Sequence, residues 1–402
     1  MNVMRPLTIG SHEEAVEVLK EIGVDPYGIE AMVPKMHTIN VIVKGVKCKV
    51  ANIMKQEMLS IGGDVAVCRG SVDCSIETTD AVIIGTDKQM KRFAEKIYVQ
   101  PFGLKRLSEE LKEVIRNMER RNFAVETPQR TIHLGERTAV MGILNVTPDS
   151  FSDGGKFTTI EDAVAHARRL EEEGADILDI GGESTRPGSD NVSIEEELNR
   201  VIPVIREVKR WVEIPLSIDT TKAAVAARAI DEGAEIVNDI SALRSDPEMS
   251  SVIAESGVPV VLMHMRGTPK TMQEGEITYR SLMGDIIEFL RDRIDAARTA
   301  GIREENIIVD PGFGFGKTME HNCELLRRLS ELKTLGRPIL VGTSRKRFIG
   351  AVTGGEPRER VDGTAATVAA SIMNGAQIVR VHDVKSMKRV AVMTDAIVRG
   401  GK

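Results

Sequence analysis

Side chains that could bind or transform a ligand recur where short apolar runs end in the C-terminal part of the sequence. They are Asn145, Asp219, Asn238, Asp310, Ser344, Lys346, Arg380 and His382. Carboxylates and amide oxygens accept hydrogen bonds from a donor-rich heterocycle, whereas the cationic side chains bind an anion such as phosphate. The mixture therefore predicts one ligand with two chemically different ends.

Several of these positions also have a purely structural interpretation. Asp219 in SIDTTK could cap the following helix, and Asn238 and Asp239 in VNDIS could be turn residues. Lys346 lies in the basic run TSRKRF, which could simply be solvated. His264, between two methionines, could be a hydrogen-bonded core imidazole. The functional prediction therefore rests on the whole set and not on any one member.

Two glycine-rich stretches suggest loops at the same site. The stretch DPGFGFGKT, residues 310–318, ends like a phosphate-binding P-loop but has Pro311 where that loop needs its first glycine. Its glycines instead predict a close approach of the backbone to a flat ligand beside Asp310. The stretch GGESTRPGS, residues 181–189, carries Thr185 and Arg186, and we expect it to close over an anionic group.

The elements that would position these groups alternate regularly from about residue 137 onward. Runs rich in Val and Ile are separated by amphipathic stretches of helical period, as in βαβ units, and a Gly-Ala join recurs in EEEGADI, DEGAEI and MNGAQI. The apolar runs lie at 139–146, 175–181, 215–219, 235–240, 259–265, 306–310, 338–344 and 377–383. Eight such units favour an α/β fold of the (β/α)8 barrel type, with the active site at the C-terminal ends of the strands.

Residues 1–125 differ from the later part of the chain in their pattern of apolar and polar residues, and they predict a smaller α/β module before the barrel. The stretches SHEEAVEVLKEIG and DKQMKRFAEKI read as helices, and TINVIVKG reads as a strand. A linker follows near Thr127 and Pro128, and the barrel covers residues 130–402. The module shows no catalytic constellation, so the sequence assigns it no function.

Composition limits the classes of partner. The 402 residues carry a formal net charge of −6 without long blocks of one sign, which gives no electrostatic reason to expect nucleic acid or an anionic membrane. The sequence has neither a bilayer-spanning apolar run nor the layout of a signal peptide, which predicts a cytoplasmic location. The four cysteines lack C-x-x-C spacing and are interpreted as reduced structural thiols.

Seven stretches together carry a resemblance to a known family. In chain order they are GILNVTPDSFSDGG, GADILDIGGESTRPGS, SIDT, VNDI, DPGFGFGK, TSRKRFIG and VRVHD. Over residues 130–402 the sequence resembles dihydropteroate synthases. The resemblance implies a TIM-barrel transferase of folate biosynthesis that joins 6-hydroxymethyl-7,8-dihydropterin diphosphate to 4-aminobenzoate, giving 7,8-dihydropteroate and pyrophosphate. It also implies Mg²⁺ as cofactor and a homodimer.

The resemblance further implies roles for individual residues. The pterin would be held by Asp219, Asn238, Asp310 and Lys346. The diphosphate would lie on Asn145, Arg380 and His382, with Asn145 also bound to Mg²⁺. The residues counted as catalytic are Asp219, Lys346 and Asn145. Pyrophosphate would leave before the amine attacks, so that Asp219 stabilises a cationic pterin methylene without a covalent enzyme intermediate.

The aminobenzoate side of the site is likewise implied by the resemblance. Its residues would be Thr185, Arg186, Pro187, Phe315 and Ser344. The loops 147–155 and 183–189 would close over the reaction. The polar end of the first barrel strand, in GILNVTPDSFSDGG, would then help to hold a metal diphosphate and cover it.

Three other functions stay open from the sequence. The same chemistry could use a ribosylated aminobenzoate, as in methanopterin synthesis. A methyltransferase that passes a methyl group from a reduced folate to a corrinoid protein shares the pterin-binding barrel, but it binds no diphosphate. A non-catalytic pterin-binding protein is the third alternative.

Overall fold

The computed structural model describes residues 4–146, 159–183 and 192–399 and divides into two compact units, Met1–Glu119 and Arg120–Lys402. The boundary lies earlier than residue 125, where the sequence analysis places the end of the module. The difference arises because Phe123–Glu126 forms a strand that pairs within the second unit.

Within residues 4–119, the first unit is a three-stranded antiparallel sheet with helices. The strand order is β1-β3-β2. Its elements are α1 (His12–Glu21), α2 (Pro26–Met36), β1 (Thr38–Lys47), α3 (Cys48–Leu59), β2 (Asp64–Val67), a 3₁₀ turn (Arg69–Ser71), β3 (Thr78–Thr86), α4 (Asp87–Tyr98) and α5 (Leu104–Glu119). The two helices and the strand predicted from the quoted stretches are confirmed as α1, α4 and β1.

The core of the first unit forms because its helices are amphipathic. Met90, Phe93 and Ile97 recur on one face of α4 and are fully buried, and Leu111 lies on the matching face of α5. They belong to the same buried cluster as Ile83 of β3. The unit therefore has a hydrophobic core of its own.

The second unit is a (β/α)8 barrel, as predicted. Its parallel strands in the described residues are β6 (Ala139–Asn145), β7 (Ile177–Gly181), β8 (Leu216–Asp219), β9 (Ile236–Asp239), β10 (Val260–Met263), β11 (Ile307–Asp310), β12 (Leu340–Val341) and β13 (Ile378–Val381). Each strand from β6 to β10 pairs with the next strand in the chain, β12 pairs with β13, and β13 pairs with β6. A bridge between Val309 and Ile339 joins β11 to the start of β12 and closes the ring.

Helices surround these strands. The α-helices described are α6 (Ile160–Glu172), α7 (Ile194–Val208), α8 (Ala223–Asp231), α9 (Met249–Ser256), α10 (Leu282–Thr299), α11 (Met319–Arg327), α12 (Arg347–Thr353), α13 (Val361–Met373) and α14 (Val384–Arg399). Short 3₁₀ segments lie at Glu304–Asn306, Leu329–Leu335 and Pro357–Glu359. The repeated Gly-Ala joins have one conformation, because Gly174, Gly233 and Gly375 have φ values of 101°, 108° and 97°. Each lets a helix end and the chain turn into the next strand.

A hairpin closes the N-terminal end of the barrel. Strands β4 (Phe123–Glu126) and β5 (Thr131–Leu134) pair antiparallel. Phe123, Val125 and Leu134 are buried against the first residues of several barrel strands, among them Ile177 and Ile378. This end of the barrel is therefore packed, and the opposite end is the one where strand termini can meet a ligand.

In the described part of the chain, no helix combines the length and the apolar character needed to cross a membrane.

We expect substitutions in the closing hairpin to lower the free energy of unfolding only at side chains that face the core. Leu134→Ala removes a side chain that is 2% exposed, so we expect the free energy of unfolding of the barrel to fall by about 2–5 kcal/mol. Urea unfolding followed by the fluorescence of Trp211, the single tryptophan of the chain, measures this loss in the barrel unit. His133→Ala, at the exposed neighbouring position, should change it by less than about 0.5 kcal/mol. Equal effects of the two substitutions would show that the hairpin does not close the core.

Candidate active site

Strand register brings three of the predicted positions to one end of the barrel. Asn145 is paired with Gly181, Gly181 with Asp219, and Asp219 with Asn238. A Cβ atom built on Gly181 would lie 3.5 Å from Cβ of Asp219 and 3.8 Å from Oδ1 of Asn145. Asn145 and Asp219 therefore flank a position that carries no side chain, which keeps the space between them open.

A buried ion cluster lies beside this row. Arg380 on β13 donates from Nε to Oδ2 of Asp179 at 2.6 Å and from Nη2 to Oδ2 of Asp219 at 2.8 Å. Asn238 donates from Nδ2 to the same Oδ2 of Asp179 at 3.0 Å. Asp179 is fully buried, and its Oδ1 has no hydrogen-bond partner among the described residues. One cation thus holds two carboxylates from adjacent strands.

Burial and these neighbouring charges together set the pKa of Asp219. Burial raises the pKa of Asp219 to about 7, while the Arg380 charge lowers it and the Asp179 charge raises it. The same two carboxylates raise the pKa of Arg380, so its guanidinium stays charged. A small change in the surroundings of Asp219 can therefore change its charge near neutral pH.

The ends of β11 and β12 contribute a third carboxylate and an ammonium group. Asp310 is buried, and its Oδ1 accepts from the backbone N–H of Gly312 at 2.7 Å. Nζ of Lys346 lies 4.1 Å from the centre of the Phe315 ring, a cation–π distance. Burial raises the pKa of Asp310 to about 6 and lowers that of Lys346 to about 8, the latter with help from the charge of Arg380.

The glycine-rich stretch after Asp310 is not a phosphate loop. Lys317 is buried, and its Nζ contacts Nδ1 of His264 at 2.9 Å and the carbonyl oxygen of Gly312 at 2.9 Å. Burial lowers the pKa of Lys317 to about 7. Burial, with the charges of Lys317 and Arg244, holds the pKa of His264 well below its usual range. His264 is therefore a neutral, hydrogen-bonded core imidazole, as its structural interpretation predicts.

The role predicted for these glycines is wrong for Gly312. A Cβ atom there would lie 2.0 Å from the carbonyl oxygen of His264, and the φ of Gly312 is +69°. The glycine is needed because two backbone segments approach each other, not because a ligand lies against it. At Gly314 the nearest group is the side chain of Lys346, at 3.3 Å, so this glycine does border the site.

Ser344 and His382 form a pair at the ends of β12 and β13. Oγ of Ser344 and Nδ1 of His382 are 3.0 Å apart, and the backbone N–H of His382 donates to the same Oγ at 3.2 Å. The adjacent Arg345 binds Asp383 through two hydrogen bonds, at 3.1 and 2.7 Å. These contacts fix the chain that follows both strands.

At Asp219, Asp239 and Asn238, the contacts distinguish the purely structural interpretation from the functional one. Asp219 does not cap α8, since Ala223 N donates to Asp246. Asp239 is a turn residue, because its two oxygens accept from the backbone N–H groups of Ser241 and Leu243 at 2.8 and 2.7 Å. Asn238 instead belongs to the ion cluster.

The predicted Thr185, Arg186 and Pro187 lie outside the described residues, as do loop 147–155 and most of loop 183–189. Glu183, at the start of the second loop, is described and accepts from Nζ of Lys222 at 2.5 Å. The same Nζ lies 2.5 Å from Oε2 of the buried Glu197. Ion pairs of Lys222 with Glu183 and Glu197 therefore fix the chain where this loop begins.

Sequence reasoning assigns no role to Asp179 or Lys317, although both contribute charge to the site. Asp179 counts among the polar groups near the strand ends, but it precedes the last residue of β7 by two positions, and its place alone indicates no role. An acidic residue in an otherwise apolar barrel strand is the signal that could have identified it, because a buried charge needs a partner.

Asn145 is the described residue where the resemblance places Mg²⁺. Mg²⁺ is usually held by few protein oxygens together with substrate phosphates and water. Asn145 offers one amide oxygen at the open end of β6, across Gly181 from the carboxylate of Asp219. This donor set fits an ion that is bound mainly through a diphosphate.

Comparison with known proteins gives a family match. A model described as "Pterin binding enzyme" matches residues 141–382. A dihydropteroate synthase from Synechocystis sp. is 51% identical over 266 residues, which are 66% of this chain and 92% of that protein.

Two further relatives bear on the ligand and on the N-terminal unit. The structure of dihydropteroate synthase from Xanthomonas albilineans in complex with 7,8-dihydropteroate has 44% identity and a TM-score of 0.61, covering 68% of this chain and 98% of that one. A probable bifunctional folylpolyglutamate synthase/dihydropteroate synthase from Halobacterium salinarum is 43% identical over 380 residues, which are 94% of this chain and 45% of that protein. The match to the latter extends into the N-terminal unit.

The ion cluster predicts a stability loss that depends on pH. Arg380→Gln removes the cation between Asp179 and Asp219, so we expect the free energy of unfolding to fall by about 3 kcal/mol at about pH 9. The loss should shrink at about pH 5, because Asp219, whose pKa is already raised, then takes up a proton and no longer needs the cation. Urea unfolding at both pH values measures the difference.

The matched control for this substitution is Arg228→Gln. Arg228 is half exposed and makes surface ion pairs with Asp231 and Glu232, which should contribute less than about 1 kcal/mol at either pH. A loss for Arg380→Gln that is equal at the two pH values would contradict the proposed link to carboxylate charge.

Proposed function

The chain belongs to the dihydropteroate synthase family of pterin-binding enzymes, and on this premise we propose that its barrel joins 6-hydroxymethyl-7,8-dihydropterin diphosphate to 4-aminobenzoate. The products are 7,8-dihydropteroate and pyrophosphate. The observation that carries the proposal is the pairing of buried carboxylates with cations at one end of the barrel.

The carboxylate side suits the pterin. A pterin ring presents N–H donors, and Asp219, Asn238 and Asp310 offer acceptor oxygens at neighbouring strand ends. Lys346, whose Nζ lies over the Phe315 ring, adds a donor for the ring oxygen. Since these four side chains come from β8, β9, β11 and the turn after β12, a flat ring entering the barrel would meet all of them.

Asp219 is proposed to act on the transition state. When pyrophosphate leaves, positive charge develops on the methylene carbon attached to the pterin, and a nearby carboxylate stabilises that charge. The Arg380 contact orients the carboxylate and lowers its pKa against the effect of burial. Asp179 holds Arg380 in turn, so we assign Asp179 a positioning role.

The diphosphate is proposed to lie above this cluster. Arg380 uses Nε and Nη2 on the two carboxylates, so Nη1 is the nitrogen offered to a phosphate oxygen. His382, oriented by Ser344, would add a second donor. Asn145 would hold Mg²⁺ through Oδ1, and the ion when bound would supply charge neutralisation for the leaving pyrophosphate.

The acceptor side is proposed from Phe315 and Ser344, together with Thr185, Arg186 and Pro187. Phe315 is buried beside Lys346 and offers an apolar face to an aromatic acid. A dihydropteroate synthase from Xanthomonas albilineans has been solved with 4-aminobenzoic acid, which supports this acceptor by family. The ribosylated acceptor stays an alternative, whereas no observation favours the methyltransferase or the non-catalytic protein. The homodimer and the cytoplasmic location stay predictions.

Product formation tests the function directly. The full-length chain, given the dihydropterin diphosphate, 4-aminobenzoate and Mg²⁺, should release pyrophosphate and form a product with the mass of dihydropteroate. Asp219→Asn keeps the shape of the side chain but removes its charge, so we expect kcat/KM to fall by at least about 100-fold. Asp231→Asn, an exposed carboxylate in the same βα unit, should leave the rate unchanged.

Two results would overturn parts of this proposal. A normal rate for Asp219→Asn would remove Asp219 from catalysis. Tight binding of the pterin diphosphate without product would reject 4-aminobenzoate as the acceptor, and the same assay with the ribosylated amine would then decide whether the chain is a synthase at all.

The pKa values of Asp219 and Lys346 predict a bell-shaped pH profile. Asp219 must be ionised and Lys346 protonated, so kcat/KM should fall below about pH 7 and above about pH 8. Initial rates of pyrophosphate release from about pH 5 to about pH 10 measure both limbs. Lys346→Arg should remove the alkaline limb in whatever activity it retains, because arginine stays protonated. An alkaline limb that persists in this variant would assign it to another group.

A further inference from the structure

Two imidazoles and one carboxylate meet in the first unit, far in sequence from the barrel motifs. They belong to His12, His37 and Asp87, whose ligand atoms all lie within 4.8 Å of one another. We propose that these three side chains bind a divalent transition-metal ion of the zinc class. This site is separate from the proposed synthase chemistry and does not depend on it.

The distances show that both oxygens of one carboxylate face an imidazole. Nε2 of His12 lies 2.5 Å from Oδ2 of Asp87, and Nδ1 of His37 lies 3.2 Å from Oδ1. The two rings stand edge to face with centroids 5.7 Å apart. Within the described residues, this is the group of His, Cys, Asp and Glu whose geometry could hold a metal ion.

The fold fixes the three residues through helix ends. His12 is the first residue of α1, after the Ser11 cap, and His37 directly follows α2. Asp87 is the first residue of α4, and its backbone N–H donates to the carbonyl oxygen of His37 at 3.2 Å. The backbone bond ties two of the three ligands together, so the cluster is held by the same contacts that start and end the helices.

The chemistry favours zinc over magnesium. Imidazole nitrogen together with carboxylate oxygen suits first-row transition ions, and tetrahedral zinc has ligand atoms roughly 3.3 Å apart. The two nitrogen–oxygen distances, 2.5 and 3.2 Å, lie below that value, and all three ligand atoms lie within 4.8 Å of one another. Small side-chain rotations would therefore bring all three atoms onto one ion. Three protein ligands leave a fourth position for water or an outside group.

Access to the cluster comes from the histidine side. The Asp87 side chain is 1% exposed, whereas those of His12 and His37 are 36% and 40% exposed. An open depression of about 590 Å³ adjoins His37 and is lined by Leu7, Thr8, Ile9, Met36 and Thr38. A buried anion behind two accessible imidazoles gives a cation both a route in and a charge to neutralise.

The competing interpretation is a hydrogen-bonded trio that only stabilises the fold. Both interpretations use the same contacts, so the test needs variants that keep the hydrogen bonds and lose metal affinity. His12→Gln places an amide nitrogen near the position of Nε2, and His37→Asn places one near that of Nδ1. Each amide can still donate to Asp87 but is a poor ligand for zinc.

The experiment is a Zn²⁺ titration of the full-length chain after removal of metal with a chelator. We expect one tightly bound Zn²⁺ per chain that an excess of Mg²⁺ does not displace. His12→Gln and His37→Asn should each weaken binding at least about 100-fold, with circular dichroism and thermal unfolding showing a retained fold. Co²⁺ in place of Zn²⁺ should give the visible absorption of a tetrahedral site, and this absorption should be lost in both variants.

Two controls separate this site from other zinc ligands. His133→Gln changes an exposed histidine of the barrel hairpin and should leave the stoichiometry at one. Cys68→Ser with Cys74→Ser removes the two exposed thiols of the first unit and should do the same. Failure of the unaltered chain to bind Zn²⁺, retention of binding in both histidine variants, or loss of binding in the cysteine variant would each overturn the proposal.

Discussion

One partly buried guanidinium, that of Arg380, determines how the catalytic end of the barrel is organised. Arg380 lies on the last strand, and its partners Asp179 and Asp219 lie on the second and third strands of the ring. This contact is available only because β13 pairs with β6 and closes the barrel, so that the side chain reaches across the interior. The cost of burying the two carboxylates is offset by this single cation, and the geometry of Asp219 depends on it.

The N-terminal end of the barrel contributes mainly to stability, whereas the opposite end carries the groups proposed for the chemistry. At the N-terminal end, the hairpin residues Phe123, Val125 and Leu134 bury apolar surface against the strand starts. At the other end, burial raises the pKa values of Asp219 and Asp310 and lowers that of Lys346. Groups with pKa values shifted in this way reduce the free energy of unfolding when they are ionised in a low dielectric. A site of this kind therefore requires a well-packed opposite end that offsets the loss.

The sequence predicts most of the barrel and part of the site, for reasons that differ from residue to residue. Apolar periodicity and the Gly-Ala joins identify the eight strands, and the strand ends then identify Asn145, Asp219, Asn238 and Asp310. The contact of Arg380 with Asp179 could not be predicted, because it spans 201 residues of sequence. The boundary predicted from the sequence likewise divides the closing hairpin between the module and the barrel, since its pairing is local but its burial depends on residues from distant strands.

Two metals could serve this chain without exchanging sites, because the ligands of the two candidate sites differ in chemical type. The barrel offers an amide oxygen at Asn145 and relies on substrate phosphates, a combination that suits Mg²⁺. The first unit offers two imidazoles and Asp87, a combination that suits zinc. Imidazole nitrogen suits first-row transition ions such as Zn²⁺, whereas Mg²⁺ keeps its preference for oxygen and water. His12, His37 and Asp87 are spread over 75 residues of sequence. Only the fold, which places each of them at a helix end, brings these three zinc-selective ligands together.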